Sequence, residues 1–312
     1  MYDLIIIGSG PAGMTAGMYA VRREMKTLII GKELGGQMVW ASEIENYPGY
    51  EKISAFELIN KFKQQTVKFG VEMKDDEVKR IERTAEGTFL LHTNRETFEA
   101  KTVIVSMGLS PRRLAVNGEI EFNGKGVSYC ANCDAPFFRN KRVAVIGGGN
   151  SALDAAEVLS KIASQVYLIH HNDNFKAFDQ LLAEVKSRDN IEIHLHTDVK
   201  DIIGSNKVEK IKIFDNQKNE EREIELDGVF IEVGRIASTD LIAEFADRNE
   251  KHQITVNSKM ETKTPGFFAA GDVTDCEFKQ ITVATGQATI AALMAYQYLQ
   301  LKSGKKFIAK NY

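Results

Sequence analysis

Residues 3–13 read DLIIIGSGPAG, and residues 143–152 read VAVIGGGNSA. Each copy is a short continuous apolar run that leads into a glycine-rich turn. Such a run is typical of a strand that is buried on both faces of a parallel sheet. A helical pattern follows each turn, and a second apolar strand follows each helix, at residues 27–30 and 165–169. The chain therefore contains two predicted βαβ units.

The spacing of the glycines predicts a dinucleotide site at each turn. The first glycine permits a tight turn, the second lets the backbone approach a diphosphate, and the third position must be small for helix packing. The helix that follows presents free N–H groups and the positive end of its dipole. The predicted binding residues are Gly8, Gly10, Pro11, Ala12 and Gly13 in the first turn, and Gly147, Gly149, Asn150, Ser151 and Ala152 in the second. The alternative is that one copy serves only as a packing turn.

Composition excludes several other classes of protein. The 312 residues carry a formal charge of −3, with 43% hydrophobic and 27% charged residues, which does not suit a basic nucleic-acid binder or a disordered chain. Residues 281–301 are uncharged but contain threonine and glutamine, which favours a buried helix over a membrane span. The N-terminus shows no signal-peptide pattern. We therefore expect a cytoplasmic protein of two domains, with no nucleic-acid or membrane partner.

A Cys-x-x-Cys pair, Cys130 and Cys133, predicts thiol–disulfide chemistry. One thiolate attacks a substrate disulfide and the other resolves the mixed disulfide, so the two sulfurs must be close. Asp134 follows directly and is a candidate general acid or base. A zinc site, a static disulfide and a pair of buried thiols are the alternatives. No further Cys or His pair lies nearby, so we expect no metal. Cys276 has no partner in sequence and is read as non-catalytic.

With these motifs the chain resembles the low-molecular-weight thioredoxin reductases. Further matches are GGQ at 35–37, ENYPG at 45–49 and FAAGD at 268–272, and the resemblance extends from Asp3 to about Leu301. It implies an α/β fold with two Rossmann-like, three-layer (ββα) dinucleotide-binding domains, the second inserted in the first. The FAD-binding domain would comprise 1–112 and 243–312. The nicotinamide-nucleotide domain, 113–242, would carry the Cys-x-x-Cys pair.

The resemblance also implies roles for individual residues. Cys133 would face the flavin, and Cys130 would attack the protein substrate. The two domains would alternate between two orientations by bending at 112–113 and 240–244. Besides the first turn, the implied FAD-binding residues are Gly35, Gly36, Gln37, Asn46, Gly271, Asp272, Lys279, Gln280 and Ile281.

The expected nicotinamide site departs from the family pattern. NADPH-dependent members carry His-Arg-Arg and a later arginine, which bind the 2′-phosphate, and NADH-using relatives place an acid where His170 stands. Here the segment reads HHNDNFK at 170–176, so His170, His171 and Lys176 are the candidates. Alternatively, the two histidines merely end a strand at the surface. We favour NADH over NADPH, and efficient use of neither nucleotide is the third alternative. Binding of NADPH would require a protonated histidine, so its affinity would fall as pH rises through about 6.5.

A charge at Glu232 interrupts the apolar pattern FIEVG at 230–234. Burial of a carboxylate without a partner is costly, so we expect Glu232 to face a polar cofactor or a domain interface.

The leading function is reduction of thioredoxin, or of a similar thioredoxin- or glutaredoxin-like protein. Electrons would pass from NAD(P)H through FAD and the Cys130–Cys133 dithiol, in a homodimer as in other members of the family. One alternative is a ferredoxin-dependent or NADH-dependent flavin disulfide reductase that serves a glutaredoxin-like or peroxiredoxin system. A dithiol oxidase and a flavin-binding redox sensor without turnover are the others.

Overall fold

The computed structural model describes residues 1–40 and 43–304 and divides the chain into two compact units. The first unit comprises Met1–Ser110 and the chain from Ile236 onward, and the second comprises Pro111–Arg235. The second crossing therefore lies at 235/236, whereas the sequence places it at 242/243. The reason is that Ile242 is buried in the core of the first unit.

The elements are as follows. The strands are β1 (Tyr2–Ile7), β2 (Thr27–Ile30), β3 (Glu43–Ile44), β4 (Ile53–Ser54), β5 (Glu72–Lys74), β6 (Val78–Arg83), β7 (Phe89–Thr93), β8 (Thr97–Val105), β9 (Ser110–Pro111), β10 (Val127–Ser128), β11 (Arg142–Ile146), β12 (Gln165–Ile169), β13 (Ile191–His194), β14 (Thr197–Gly204), β15 (Val208–Asp215), β16 (Glu220–Glu225), β17 (Gly228–Ile231), β18 (Arg235–Ile236) and β19 (Phe267–Ala269). The helices are α1 (Pro11–Val21), α2 (Ala55–Lys68), α3 (Ala131–Asp134), α4 (Asn150–Ser160), α5 (Asp179–Lys186) and α6 (Ile281–Lys302).

The first unit has a three-layer ββα arrangement. Its strands belong to one seven-stranded sheet, in the order β5-β2-β1-β8-β7-β6, with β19 beside β8. Strand β1 is parallel to β2 and β8, whereas β6, β7 and β8 form an antiparallel meander. Because side chains alternate along a strand, Ile5 and Ile7 pack towards the meander while Leu4 and Ile6 pack on α1 and α6. Both faces of β1 are buried, which explains its continuous apolar sequence.

The second unit repeats this architecture. Its parallel sheet has the order β10-β17-β11-β12-β13. Val143 and Val145 of β11 pack towards α4, and Ala144 and Ile146 pack towards the antiparallel sheet β14-β15-β16. The chain thus has an α/β fold with two Rossmann-like units, the second inserted in the first.

Residues 281–301 form most of α6, as the sequence predicts. Alanines at helical spacing, including Ala284, Ala288 and Ala295, are buried in the core of the first unit. Among the described residues, no helix combines the length and the apolarity that a membrane crossing needs.

Candidate functional site

The turn between β1 and α1 is shaped by close backbone contacts. A Cβ atom on Gly13 would lie 1.9 Å from the carbonyl oxygen of Gly8, so only glycine allows this helix to approach the strand. Gly10 differs, because its nearest neighbour would be the Cα of Gly36, at 3.8 Å. Gly10 is also the N-cap of α1 and supplies no side-chain cap, and Pro11 begins the helix. The turn therefore leaves an open backbone face at a helix N-terminus, as a diphosphate requires.

Residues distant in sequence meet at this end of the sheet. The amide of Gln37 donates to a carboxylate oxygen of Asp272 (2.7 Å), and the amide of Asn46 donates to the side-chain oxygen of Gln280 (3.0 Å). Gln280 is the N-cap of α6, whose first residue is Ile281 and whose N-terminus has no side-chain cap. The structure thus brings together polar groups that can hold the hydroxyl and amide groups of a flavin nucleotide.

The loop between β19 and α6 completes this cluster. Gly271 packs against Ala12, where an added Cβ would lie 3.1 Å from the alanine Cβ. Lys279 donates to the carbonyl of Thr274 (2.7 Å). Burial lowers the pKa of Lys279, while the nearby Asp272 carboxylate acts in the opposite direction. The segment Gly35–Gly36 lies over Gly10, and the backbone N–H of Gly35 donates to the carbonyl of Ser9.

The second glycine-rich turn has a similar open face. Gly149 is the N-cap of α4, and a Cβ on it would meet only the carbonyl oxygen of Lys176, at 4.0 Å. The backbone N–H of Lys176 donates to the carbonyl of Gly148 (2.7 Å), and the side-chain oxygen of Asn150 accepts from the backbone N–H of Phe178 (2.8 Å). Segment 176–178 is therefore fastened to the turn. Ser151 is exposed at the start of α4, and Ala152 is buried beneath it.

His170 does not end its strand at the surface. It is 6% exposed, stacks on Phe175, and occupies the space beside Gly148, where a Cβ would lie 2.2 Å from the imidazole. Its Nε2 pairs with the carbonyl of Asn174 (3.2 Å), and its buried Nδ1 has no hydrogen-bond partner among the described residues. Burial lowers the pKa of His170, so its ring is neutral at pH 7. His171 and Lys176 are exposed, so both are accessible to a phosphate group.

Cys130 and Cys133 form a disulfide across the one-turn helix α3, with their Cα atoms 5.4 Å apart. Ser128 fixes the first cysteine: its Oγ accepts from the Cys130 N–H (3.0 Å) and donates to the Cys130 carbonyl (3.3 Å). As the N-cap of α3, Cys130 places its Sγ where the Cys133 N–H donates to it (3.1 Å). This N–H would stabilise a thiolate on Cys130 after reduction. Cys130 is 8% exposed, Cys133 is exposed, and Asp134 is partly buried.

A buried network supports the segment before the cysteines. The Glu119 carboxylate is 1% exposed, accepts from the N–H groups of Leu114 (2.9 Å) and Ala115 (2.6 Å), and accepts from the Tyr129 hydroxyl (2.5 Å). Sequence reasoning missed both this network and Ser128. A serine two residues before a cysteine is the sequence signal that could have pointed to Ser128.

Cys276 is partly exposed, and its Sγ contacts the carbonyl of Phe278 (3.8 Å). Within residues 1–40 and 43–304, no three His, Cys, Asp or Glu side chains are grouped so that they could hold a metal ion.

Comparison with known proteins agrees with this geometry. Residues 2–288 match the family described as pyridine nucleotide-disulphide oxidoreductase. The thioredoxin reductase of Bacillus subtilis is 38% identical over 302 residues, which cover 96% of this chain and 95% of the relative. The crystal structure of Lactococcus lactis thioredoxin reductase (FR conformation) is 37% identical, covers 96% of this chain and 99% of its own, and gives a TM-score of 0.88. That of T. acidophilum thioredoxin reductase is 37% identical, with coverages of 95% and 98% and a TM-score of 0.85.

The family match and the 38% identity over nearly the full length of the chain together show its family. It belongs to the pyridine nucleotide-disulphide oxidoreductase family, within its thioredoxin reductase group.

Proposed function

We propose that this chain is a thioredoxin-disulfide reductase that passes electrons from NAD(P)H through FAD and the Cys130–Cys133 dithiol to thioredoxin or a similar small redox protein. The observation that carries the proposal is a chain with two open glycine-rich turns and a redox disulfide, 38% identical to a protein named thioredoxin reductase. That identity favours this function over the peroxiredoxin-serving, oxidase and sensor alternatives.

The first unit fits FAD. Its open face at Gly10 and the uncapped N-termini of α1 and α6 suit a diphosphate and an electron-rich ring edge. Asp272 and Gln37 would bind ribitol hydroxyls, while Asn46 and Gln280 would lie near the ring. In the structure these four side chains form two hydrogen-bonded pairs, Gln37–Asp272 and Asn46–Gln280.

The second unit fits a nicotinamide nucleotide. The open face at Gly149 and the uncapped N-terminus of α4 suit its diphosphate. We propose NADH as the preferred donor, since His170 is neutral and buried and the segment has lost the arginine forks that bind a 2′-phosphate. Because burial lowers the pKa of His170, its ring would not supply a cation for a 2′-phosphate near pH 7.

Bound FAD and NAD(P)H supply the hydride and two-electron chemistry, and the residues of the chain handle the sulfur steps. The Cys130 thiolate attacks one sulfur of the thioredoxin disulfide, and that S–S bond breaks as a mixed disulfide forms. The Cys133 thiolate then attacks Cys130 Sγ, which releases dithiol thioredoxin and restores the Cys130–Cys133 disulfide. Asp134, which follows Cys133 in the chain, would donate or accept the protons of these steps. Because Cys130 is 8% exposed in the structure, attack on a protein requires that it be uncovered first.

The test is an anaerobic titration of the FAD-loaded protein, followed by turnover with thioredoxin. We expect NADH to bleach the flavin with about two reductant equivalents for the flavin–dithiol pair, and a Cys130→Ser variant to lose thioredoxin reduction while its flavin is still bleached. A preference for NADPH would refute the proposal that NADH is the preferred donor. If only ferredoxin or dithionite reduces the flavin, the proposal that the second unit binds a nicotinamide nucleotide is refuted. The resemblance further implies a cytoplasmic homodimer, and sedimentation of the purified protein tests the oligomeric state.

A further inference from the structure

Glu232 borders the second glycine-rich turn. It follows the last residue of β17, and its backbone N–H donates to the carbonyl of Ile146 (2.8 Å). Its own carbonyl oxygen lies 2.2 Å from where a Cβ on Gly147 would stand. Since β11 lies between β17 and β12, Glu232 is on one side of the turn and His170 is on the other.

The Glu232 carboxylate has no hydrogen-bond donor in the described part of the chain. Its side chain is only 10% exposed, and its nearest cation, the Nη2 of Arg235, is 3.8 Å away, beyond hydrogen-bond distance. Burial raises the pKa of Glu232 to about 7; Arg235 opposes this shift and Asp154 of α4 adds to it. A carboxylate that is nine-tenths buried, with one long ion pair and no hydrogen-bond donor within the part of the chain that the structure describes, is costly, so a ligand that brings donors to it would gain binding free energy.

The chemistry of the missing partner follows from the charges. A diphosphate at the N-terminus of α4 carries the same charge as Glu232 and would be repelled by it. The carboxylate needs uncharged hydrogen-bond donors instead, such as sugar hydroxyls or an amide N–H.

The topology shows which part of the nucleotide supplies those donors. In a Rossmann unit the adenosine ribose lies at the end of the second strand, which here is β12 with His170 beyond it. A dinucleotide whose diphosphate crosses the turn then carries its nicotinamide riboside to the β17 side. On the basis of the proposed function, we propose that Glu232 binds the nicotinamide riboside end of the pyridine nucleotide, accepting hydrogen bonds from its ribose hydroxyls or carboxamide.

This contact makes binding release a proton. Hydrogen-bond donors favour the ionised carboxylate, so the bound nucleotide lowers the pKa of Glu232 from about 7. About half of the free protein is protonated there near pH 7, so binding releases up to about half a proton per site. The affinity is greatest above the free pKa and falls about tenfold from about pH 8.5 to about pH 6. The other charged groups that act on Glu232 are Arg235 and Asp154, and an Asp154→Asn background measures how much of the proton release is due to Asp154.

Calorimetry of the FAD-loaded protein tests the inference, in two buffers of different ionisation enthalpy. The probes are tetrahydro-NADH, a redox-inactive analogue, and ADP, which lacks the nicotinamide riboside. The variant is Glu232→Gln, and the control is Glu220→Gln, an exposed carboxylate at the start of β16. We expect the unaltered protein and the control to release protons with tetrahydro-NADH but not with ADP. Glu232→Gln should abolish the release and weaken tetrahydro-NADH about tenfold above about pH 8, with ADP binding unchanged.

Two results would overturn the inference while leaving the nucleotide site in place. One is proton uptake on binding, which would put Glu232 against the diphosphate. The other is unchanged tetrahydro-NADH affinity in Glu232→Gln. Failure of both ADP and tetrahydro-NADH to bind the unaltered protein would instead overturn the proposed function.

Discussion

Replacement of Gly149 by alanine should leave the stability of the fold nearly unchanged but weaken binding of the nicotinamide nucleotide. Gly149 has extended backbone angles (φ −99°, ψ −179°), and the new Cβ would meet only the Lys176 carbonyl oxygen, at 4.0 Å. The cost to the fold is the loss of a glycine N-cap, about 1 kcal/mol or less. We therefore expect the melting temperature to fall by no more than about 2–4 °C.

The ligand should respond much more strongly than the fold. The added methyl group fills the open face on which we place the diphosphate of the nicotinamide nucleotide. Steric overlap of that kind should weaken ADP and tetrahydro-NADH by at least about 30-fold, or about 2 kcal/mol. At the neighbouring Gly148 we expect the fold to be affected more than the ligand. A Cβ there would lie 2.2 Å from the His170 ring, so Gly148→Ala should lower the free energy of unfolding by about 1–3 kcal/mol.

Calorimetric titration with ADP, thermal unfolding and flavin content measure these effects. Gly10→Ala is the matched variant in the first unit, because its Cβ would make only ordinary van der Waals contacts, the nearest being the Cα of Gly36 at 3.8 Å. We expect Gly149→Ala to keep its flavin and lose ADP, and Gly10→Ala to keep ADP and lose flavin. The reasoning is refuted if Gly149→Ala binds ADP like the unaltered protein, or if it is destabilised as much as Gly148→Ala.

Three further predictions concern the cysteines and Glu232. Ser128→Ala removes both hydrogen bonds to Cys130 and should slow alkylation of its thiol at neutral pH by about threefold or more, with Ser128→Thr as the restoring variant; equal rates would contradict a positioning role. Cys133→Ser should trap a mixed disulfide between Cys130 and thioredoxin, visible by non-reducing electrophoresis; trapping by Cys130→Ser instead would reverse the two roles. The pKa of Glu232 is raised to about 7, so the folded form holds the carboxyl proton more tightly than the unfolded form does. Glu232 therefore lowers the free energy of unfolding as pH rises from the ordinary pKa of a glutamate through 7. Glu232→Gln should therefore raise the free energy of unfolding by up to about 3 kcal/mol above about pH 8 but hardly at about pH 4, and equal gains at both would contradict this.

The local parts of this fold could be predicted from the sequence because they are periodic. Strands β1 and β11 follow from continuous apolar runs, and α4 follows from apolar residues at helical spacing. The Gln37–Asp272 contact joins residues 235 positions apart, and no local pattern predicts it; only the resemblance placed both at one cofactor.

Other parts depended on packing that sequence does not display. The histidine pair suggested either a nucleotide contact or an exposed strand end, but one ring is buried beside Gly148 because a glycine leaves room for it. The second chain crossing comes earlier than predicted because Ile242 joins a core assembled from distant strands. The sequence shows Glu232 as a charge in an apolar strand, but only the structure shows that its carboxylate has no hydrogen-bond donor within the described residues.

The division of the first unit between the two ends of the chain has a consequence for the order of events during synthesis. The ribosome releases residues 111–235, which form the second unit as one continuous segment, before it releases β19 and α6. Until then β8 lacks its neighbour β19, and Gln37 lacks Asp272. We infer that the inserted unit matures first and that the flavin pocket closes only after nearly the whole polypeptide has been translated. A chain cut short before residue 267 would keep the redox disulfide and its glycine-rich turn but lack Asp272 and Gln280, two of the four polar side chains that we propose bind the flavin nucleotide.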